Sequence, residues 1–280
     1  MALFLSRLSL SALLLGALYA LPAVALQQVR VSGAHFPPYL FKSQQHVVGG
    51  LLPQLLEALN QEQDEFEFML LPTSLPRRFR AFEQGRIDMA IFENPAWGWQ
   101  GIEHRAVDMG LEDAEVFVAR AASGRGQDYF DSLRDKRLAL YNGYHYGFAG
   151  FNAEPVFLAR AFDSTLTYSH DSNLSMVLRK RADIALMTRS YLNDYLARHS
   201  EHQDRLLVSE RVDQHYRHQA LLRPQSPISP RRFAVLMQQL RASGRLNAIF
   251  DPYQIRVRPP VTDSASAQAT VMAQGQGWRR

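Results

Sequence analysis

Short apolar runs alternate with amphipathic helical stretches, in two successive series, and this alternation is the strongest constraint on the fold: it predicts βαβ units and parallel sheets. In the first series Val29 to Ser32 reads as a strand, and Leu51, Leu52, Leu55, Leu56 and Leu59 share one helical face. Glu65 to Leu71 follows as a strand, then a short helix around Pro76 to Glu83, then a buried strand from Ile87 to Phe92 and an apolar run from Val116 to Ala119. A polar break, Ala122 to Gln127, precedes the second series. There Arg137 to Tyr141, Leu166 to Tyr168 and Ile184 to Met187 read as strands, with Leu174, Val177 and Leu178 at helical spacing between them. Gln219 to Leu222 reads as a further strand. Ser229-Pro230 supplies an N-cap and a first-turn proline for a helix that buries Phe233, Leu236, Met237 and Leu240.

The ends carry different signals. Arg7, the apolar stretch Leu8 to Leu21 and the small-x-small pattern Ala23-Val24-Ala25 have the form of a cleaved export signal over residues 1–25. The apolar stretch is about 14 residues, short of the roughly 20 that span a bilayer. Cysteine is absent, so neither a disulfide nor a lipid-modified cysteine is available, and a packed core must supply stability. Export without an anchor predicts a soluble periplasmic protein. The formal charge is +4, with basic residues scattered among 27 acids. No basic block with interleaved aromatics appears, so nucleic acid is not an expected partner. The stretch after Pro259 is rich in Pro, Ser, Ala, Gln and Gly and reads as a disordered tail.

Six blocks, in order, resemble the extracellular solute-binding proteins of family 3, the amino-acid-binding components of ABC importers. His35-Phe36-Pro37-Pro38-Tyr39 resembles the family's aromatic turn after the first strand, and Gly50 with its Leu-rich helix resembles the next block. Phe82-Glu83-Gln84-Gly85-Arg86-Ile87-Asp88 resembles "L-x-x-G-K-[IV]-D". Leu133 to Gly143 resembles "L-K-G-K-x-V-x-V-x-x-G", and Leu178-Arg179-Lys180-Arg181-Ala182-Asp183 resembles the second "L-x-x-G-R-x-D", with Arg181-Ala182 where the family has Gly-Arg. Ser243-Gly244-Arg245-Leu246 to Tyr253 resembles the terminal block. The resemblance implies an α/β, two-lobed type II periplasmic-binding-protein fold with two hinge crossovers. Lobe 1 is expected to comprise residues 26–118 and 218–256, lobe 2 residues 119–217, and the tail residues 257–280.

Ligands of open α/β sheets bind beyond the carboxyl ends of the strands, which selects four loops and the end of a fifth strand. The resemblance implies that Phe36 stacks on the ligand beside Tyr39 and that Leu75 walls the cleft; Arg77 and Arg78 after it either point inward as anion clamps or lie on the helix surface. The family's carboxylate-binding Arg is missing after Phe92, and Glu93 stands where a ligand-facing hydroxyl is expected. An inward Glu93 would need a cation, with Trp97 and Trp99 offering faces for cation–π contact. Tyr144 and His145 replace the small residues at the helix start that holds the ligand's anionic end. Thr188 falls where the family's ammonium-binding Asp lies. Both ends of the α-amino-acid clamp are therefore replaced.

The expected role is capture of a small polar or cationic ligand by hinge closure, by a monomer that delivers it to an ABC permease in the inner membrane. Alternatives are a ligand-sensing partner of a membrane receptor, or a small periplasmic enzyme with Glu93, Glu103 or His145 as acid or base. No nucleophile elbow, H-E-x-x-H pair or phosphate loop occurs, and neither catalysis nor a cofactor is expected. His199/His202 and His215/His218 have i, i+3 spacing, but the scattered histidines read as surface and no metal is expected.

Overall fold

The computed structural model describes residues 25–42 and 48–259. The expected signal segment up to Val24 and the tail from Pro260, including Trp278, lie outside the described residues. Eleven strands are described: β1 Gln27–Ala34, β2 Phe41–Lys42, β3 Val48–Gly49, β4 Phe66–Thr73, β5 Met89–Glu93, β6 Arg105–Arg120, β7 Leu138–Tyr141, β8 Ser164–Thr167, β9 Ile184–Thr188, β10 Leu206–Leu222 and β11 Arg256–Val257. β2 and β3 pair antiparallel as a separate two-stranded sheet.

The remaining strands form a curled sheet in the order β4-β1-β5-β10-β6-β9-β7-β8, with β11 on β6. The order contains the same arrangement twice. On one side β4, β1 and β5 run parallel and β10 closes them antiparallel. On the other, β8, β7 and β9 run parallel and β6 closes them antiparallel. Each half thus receives its antiparallel strand from the long pair β6 and β10, which zip together from Leu206↔Arg120 to Leu222↔Arg105. These are the two crossovers of a two-lobed fold. The sequence reading recognised only their apolar ends, Val116 to Ala119 and Gln219 to Leu222, because the middle of each strand is polar. Register shifts between Val208 and Gln214 and between His218 and Gln219 bend β10 where it leaves one half for the other.

The two aspartates of the repeated sequence blocks have matching structural jobs. Asp88 accepts hydrogen bonds from the backbone N–H of Arg30 at 3.0 Å and from its Nε at 2.7 Å. Asp183 accepts the same two from Arg137, at 2.9 and 3.0 Å. Each aspartate ties the approach to the third parallel strand of its half onto the first. The structural correspondence also shifts the second block by one residue. Lys180, with φ 61, takes the left-handed conformation that Gly85 takes at φ 66. Arg181 then closes onto the Met176 carbonyl as Arg86 closes onto that of Ala81. Lys180 therefore stands in the glycine position that the sequence reading assigned to Arg181.

Ser229 caps the helix Pro230–Ala242 through its side chain, which accepts from Arg232 N–H at 3.1 Å. That helix packs on β6 and on the helix Leu51–Gln61, so it returns to the first series. Val257, read from sequence as tail, pairs with Leu111.

Asp88 is almost fully buried. Burial pushes its carboxyl up, but the hydrogen bonds from Arg30 and Arg223 outweigh this and hold it below the usual aspartate range. Their contribution is therefore complete above the ordinary value of 3.8 and drains away as pH falls through the folded value. Asp88→Ala is expected to cost about 2–3 kcal/mol in urea unfolding at pH 7, because it strands the Arg30 N–H and two guanidinium groups. The solvent-screened Asp183→Ala is expected to cost about 1 kcal/mol.

Candidate functional site

The loops after β1, β4, β5 and β7 converge on a cavity of about 70 Å³. The turn after β1 is tied by Phe36 N–H to the Leu40 carbonyl at 2.8 Å and by Tyr39 N–H to the Phe36 carbonyl at 2.9 Å. It directs Phe36 and Tyr39 inward. Phe36 stacks on Tyr144 from the opposite half, with ring centroids 5.2 Å apart and planes within 6°. The Tyr141 hydroxyl reaches across in the other direction to the His35 carbonyl at 2.6 Å. Gly143 permits this approach: at φ 79, a Cβ there would lie 2.9 Å from Pro76 Cγ.

Phe36, Tyr39, Leu75, Glu93, Trp97, Tyr144 and His145 all line the cavity, joined by Arg78, Phe92, Tyr216 and His218. Arg77 and Thr188 are not on its wall. Ser74 accepts the N–H groups of both Arg77 and Arg78 through its carbonyl, and the turn faces Arg77 to solvent and Arg78 inward. Arg77 instead borders an open groove on the outer face with Arg80 and Arg86. Thr188 caps the helix Arg189–Arg198, accepting from Tyr191 N–H at 3.2 Å.

Glu93 is already paired. Arg78 donates to it from Nε at 2.6 Å and Nη2 at 3.2 Å, and Trp99 Nε1 donates at 2.9 Å. The cation expected opposite Glu93 is thus the protein's own. Trp99 packs on Phe79 and Phe82 within its own half. Trp97 crosses over, meeting Tyr144 at 5.4 Å and Tyr216 at 5.1 Å and donating to Gln214 at 3.0 Å.

The helix start after β7 is likewise engaged. It is a single 3-10 turn, Gly147–Ala149, whose first N–H groups donate to Asp213, Gly147 at 2.6 Å and Phe148 at 2.7 Å. Backbone donors expected to receive a ligand's anionic end hold an internal carboxylate instead.

Three functional candidates escaped the sequence reading: Asp113, Glu115 and Asp213, all on the crossovers. Asp113 accepts from the Tyr39 hydroxyl at 2.8 Å and from Ser190 at 2.6 Å. Glu115 is completely buried, and its carboxylate has no hydrogen-bond partner among the described residues closer than the Tyr144 hydroxyl. An acid two residues from another on one strand was the available signal, since alternation puts Asp113 and Glu115 on one face. None of the three acids is on the cavity wall itself.

Among the described residues one cluster has metal-ligand spacing: His199, Glu201 and His202, whose ligand atoms lie within 4.8 Å of one another, just past the helix Arg189–Arg198. His215 and His218 cannot combine in this way, because on β10 one is exposed and the other buried.

The apolar core is continuous through the cleft, since Phe36, Trp97, Tyr144 and Tyr146 belong to the same cluster as the first-half leucines.

No family model and no curated protein matches the chain. Solved structures do. An ancestral arginine-binding protein bound to arginine superposes with a TM-score of 0.62 at 13% identity, covering 81% of this chain and 98% of that one. A histidine kinase sensor domain with similarity to periplasmic binding proteins gives 0.62 at 18%, covering 84% and 99%. The substrate-binding protein of an amino-acid ABC transporter gives 0.60 at 13%, covering 82% and 99%. This is the two-lobed periplasmic-binding-protein fold. In such a fold the cavity lies between the lobes, and β6 and β10 are its hinge strands. Among the described residues no helix is long and apolar enough to cross a membrane.

Three histidines at or near the cleft are held neutral. Burial lowers His145, His170 and His218 to about 3, from an ordinary value of 6.5. The unfolded chain takes up their protons first, so each removes stability as pH falls from 6.5 toward 3. Neither ring nitrogen of His170 has a partner, and the ring packs between Phe36 and Tyr191, at 4.8 and 4.7 Å. His170→Phe is expected to preserve or raise the melting temperature at pH 7 and to flatten its fall below pH 6.5, measured by calorimetric scans from pH 4 to 8.

Proposed function

We propose that this chain is a periplasmic solute-binding protein that captures a small polar or cationic ligand between its lobes by hinge closure and delivers it to an ABC permease in the inner membrane. The reading rests above all on one cavity walled by both lobes, with Phe36 and Trp97 from one side meeting Tyr144 from the other. Contacts made by both lobes at once exist only in the closed form, so a ligand that makes them shifts the population toward closure. The acidic hinge and the internal occupation of the helix-start donors by Asp213 favour a ligand whose recognised end is polar or positive. An amino-acid-like molecule held without the usual α-amino-acid clamp fits this description. Nothing in the reading requires catalysis.

A sensing role is the second reading; one of the similar structures is a histidine kinase sensor domain. The same cleft would then report ligand to a membrane receptor, and the closed shape would be recognised by that receptor in place of a permease.

A thermal-shift screen of amino acids, amines, betaines and small carboxylates tests the binding step. A true ligand at a hundredfold excess over its dissociation constant adds about 2.7 kcal/mol of stability. Gly143→Ala obstructs closure at Pro76, and is expected to weaken that ligand about tenfold. Failure of every class to raise the melting temperature, or full affinity in Gly143→Ala, contradicts the reading.

A further inference from the structure

We propose that Glu115 is the counter-ion for a primary ammonium group of the ligand, and that this cation enters in exchange for a proton. The inference rests on the cleft-binding reading and names the chemistry of one end of its ligand.

The position of Glu115 comes from register. It lies opposite Gln214 of β10 and opposite Thr188 of β9. Residues directly opposite in paired strands share a face. Gln214 on that face holds Trp97 Nε1 at 3.0 Å and the His145 carbonyl at 2.8 Å, both in the cleft. Glu115 therefore shares the Gln214 face of the hinge, beside Tyr144 and Tyr216 of the cavity wall, and is not itself on that wall. Asp113, on the same face, pairs with Tyr216.

The groups around Glu115 leave it without a positive partner. Its own strand contributes Asp113, and β10 contributes Asp213 and Tyr216. The loop after β7 contributes Tyr144 and Tyr146, the loop after β1 Tyr39, and β9 Thr188. From the helices packed on β6, Ser190 is directed at Asp113, and His170 sits against Tyr141 and Tyr191. Among the described residues, Arg211 acts on Asp213 and lowers its pKa. Burial first, then the charge of Asp213, pushes the Glu115 carboxyl well above the usual range, while hydrogen bonding from the Tyr144 hydroxyl acts the other way. A neutral, protonated carboxyl is the form that this environment tolerates.

The unsatisfied atoms specify what can replace that proton. The Glu115 carboxylate and the hydroxyls of Tyr144 and Tyr216 are all buried, and their hydrogen bonding is only with one another, Tyr144 with Glu115 and Tyr216 with Tyr144, with no closer partner elsewhere among the described residues. A primary ammonium carries one positive charge and three N–H donors, which matches one carboxylate and two hydroxyl acceptors. A quaternary ammonium has no donor to give them. A metal ion does not fit either, because these acids are absent from the groups whose ligand atoms lie within 4.8 Å of one another. Since Asp213 already fills the helix-start donors, an amine without an adjacent carboxylate is the better match.

The test is calorimetric titration of the full chain with putrescine and ethylamine, choline, L-glutamine and succinate, from pH 6 to 8 in two buffers of different ionisation enthalpy. The expected result is that a primary amine binds with net release of protons, its affinity falling as pH drops. In Glu115→Gln that affinity is expected to fall at least thirtyfold and the proton release to vanish, with circular dichroism and melting temperature checking the fold. Glu115→Asp, which keeps the charge, is expected to retain proton release at reduced affinity. Undiminished amine binding by Glu115→Gln, binding without proton release, or binding of choline, glutamine or succinate alone would overturn the subsite and leave the cleft reading standing. Absence of binding by every probe, together with a null thermal-shift screen, would remove both.

Discussion

The antiparallel pairing of β6 with β10 is the constraint on which the rest of the structure depends. It supplies each half-sheet with its closing antiparallel strand, and it carries the chain from the first half to the second and back. The bulges of β10 at Val208 to Gln214 and at His218 place bending where the two halves meet. A long strand pair that is interrupted by register shifts can flex about those points while its flanking ladders stay intact. Side chains on the intervening stretch sit at the axis of any such motion. Asp113, Glu115, Gln214 and Tyr216 occupy that stretch, so the polar chemistry of the cleft is built into the hinge as well as into the loops.

Those same residues explain which parts of the architecture are legible in the sequence. The parallel strands are apolar, short and bounded by turns, and β1, β4, β5, β7, β8 and β9 fall where the apolar runs place them to within a few residues. The repeated aspartate blocks are local as well: Asp88 and Asp183 each bond to the first strand of their own half, so the pattern and its structural work coincide. The crossovers break the rule that buried strands are apolar. Ser209 to His218 reads as polar loop, yet Ser209, Gln214 and His218 are buried, because their partners come from distant segments: Phe117 for Ser209, Trp97 and His145 for Gln214, and Tyr39 for His218. Polar satisfaction by tertiary contact has no sequence period.

The site was partly legible for a similar reason. Residues expected from loop position, such as Phe36, Tyr39, Leu75, Trp97 and Tyr144, do line the cavity, because strand ends fix the loops. Identity within a loop is harder. Between Arg77 and Arg78 the choice depends on which side chain the turn at Ser74 sends inward, a matter of one residue of helical phase. For Glu93, the expectation that an inward carboxylate needs a cation holds in the structure, and Arg78 supplies it within the protein. The Glu115 carboxyl has no such internal partner.

That contrast bears on how closure is controlled. A buried ion pair such as Arg78–Glu93 gives nothing further to a ligand, since its charges are already matched. A buried carboxyl with no cationic partner behaves differently. In the closed arrangement its ionised form costs several kcal/mol of desolvation, whereas water would solvate it with the lobes apart. Closing the cleft therefore requires that the charge be cancelled, by a proton or by a positive group brought in with the ligand. Only interactions that differ between open and closed forms can move that equilibrium. The Phe36–Tyr144 stack rewards closure whichever way Glu115 is neutralised, and on its own selects nothing. Selectivity at the hinge must then come from the unsatisfied oxygens of Glu115, Tyr144 and Tyr216.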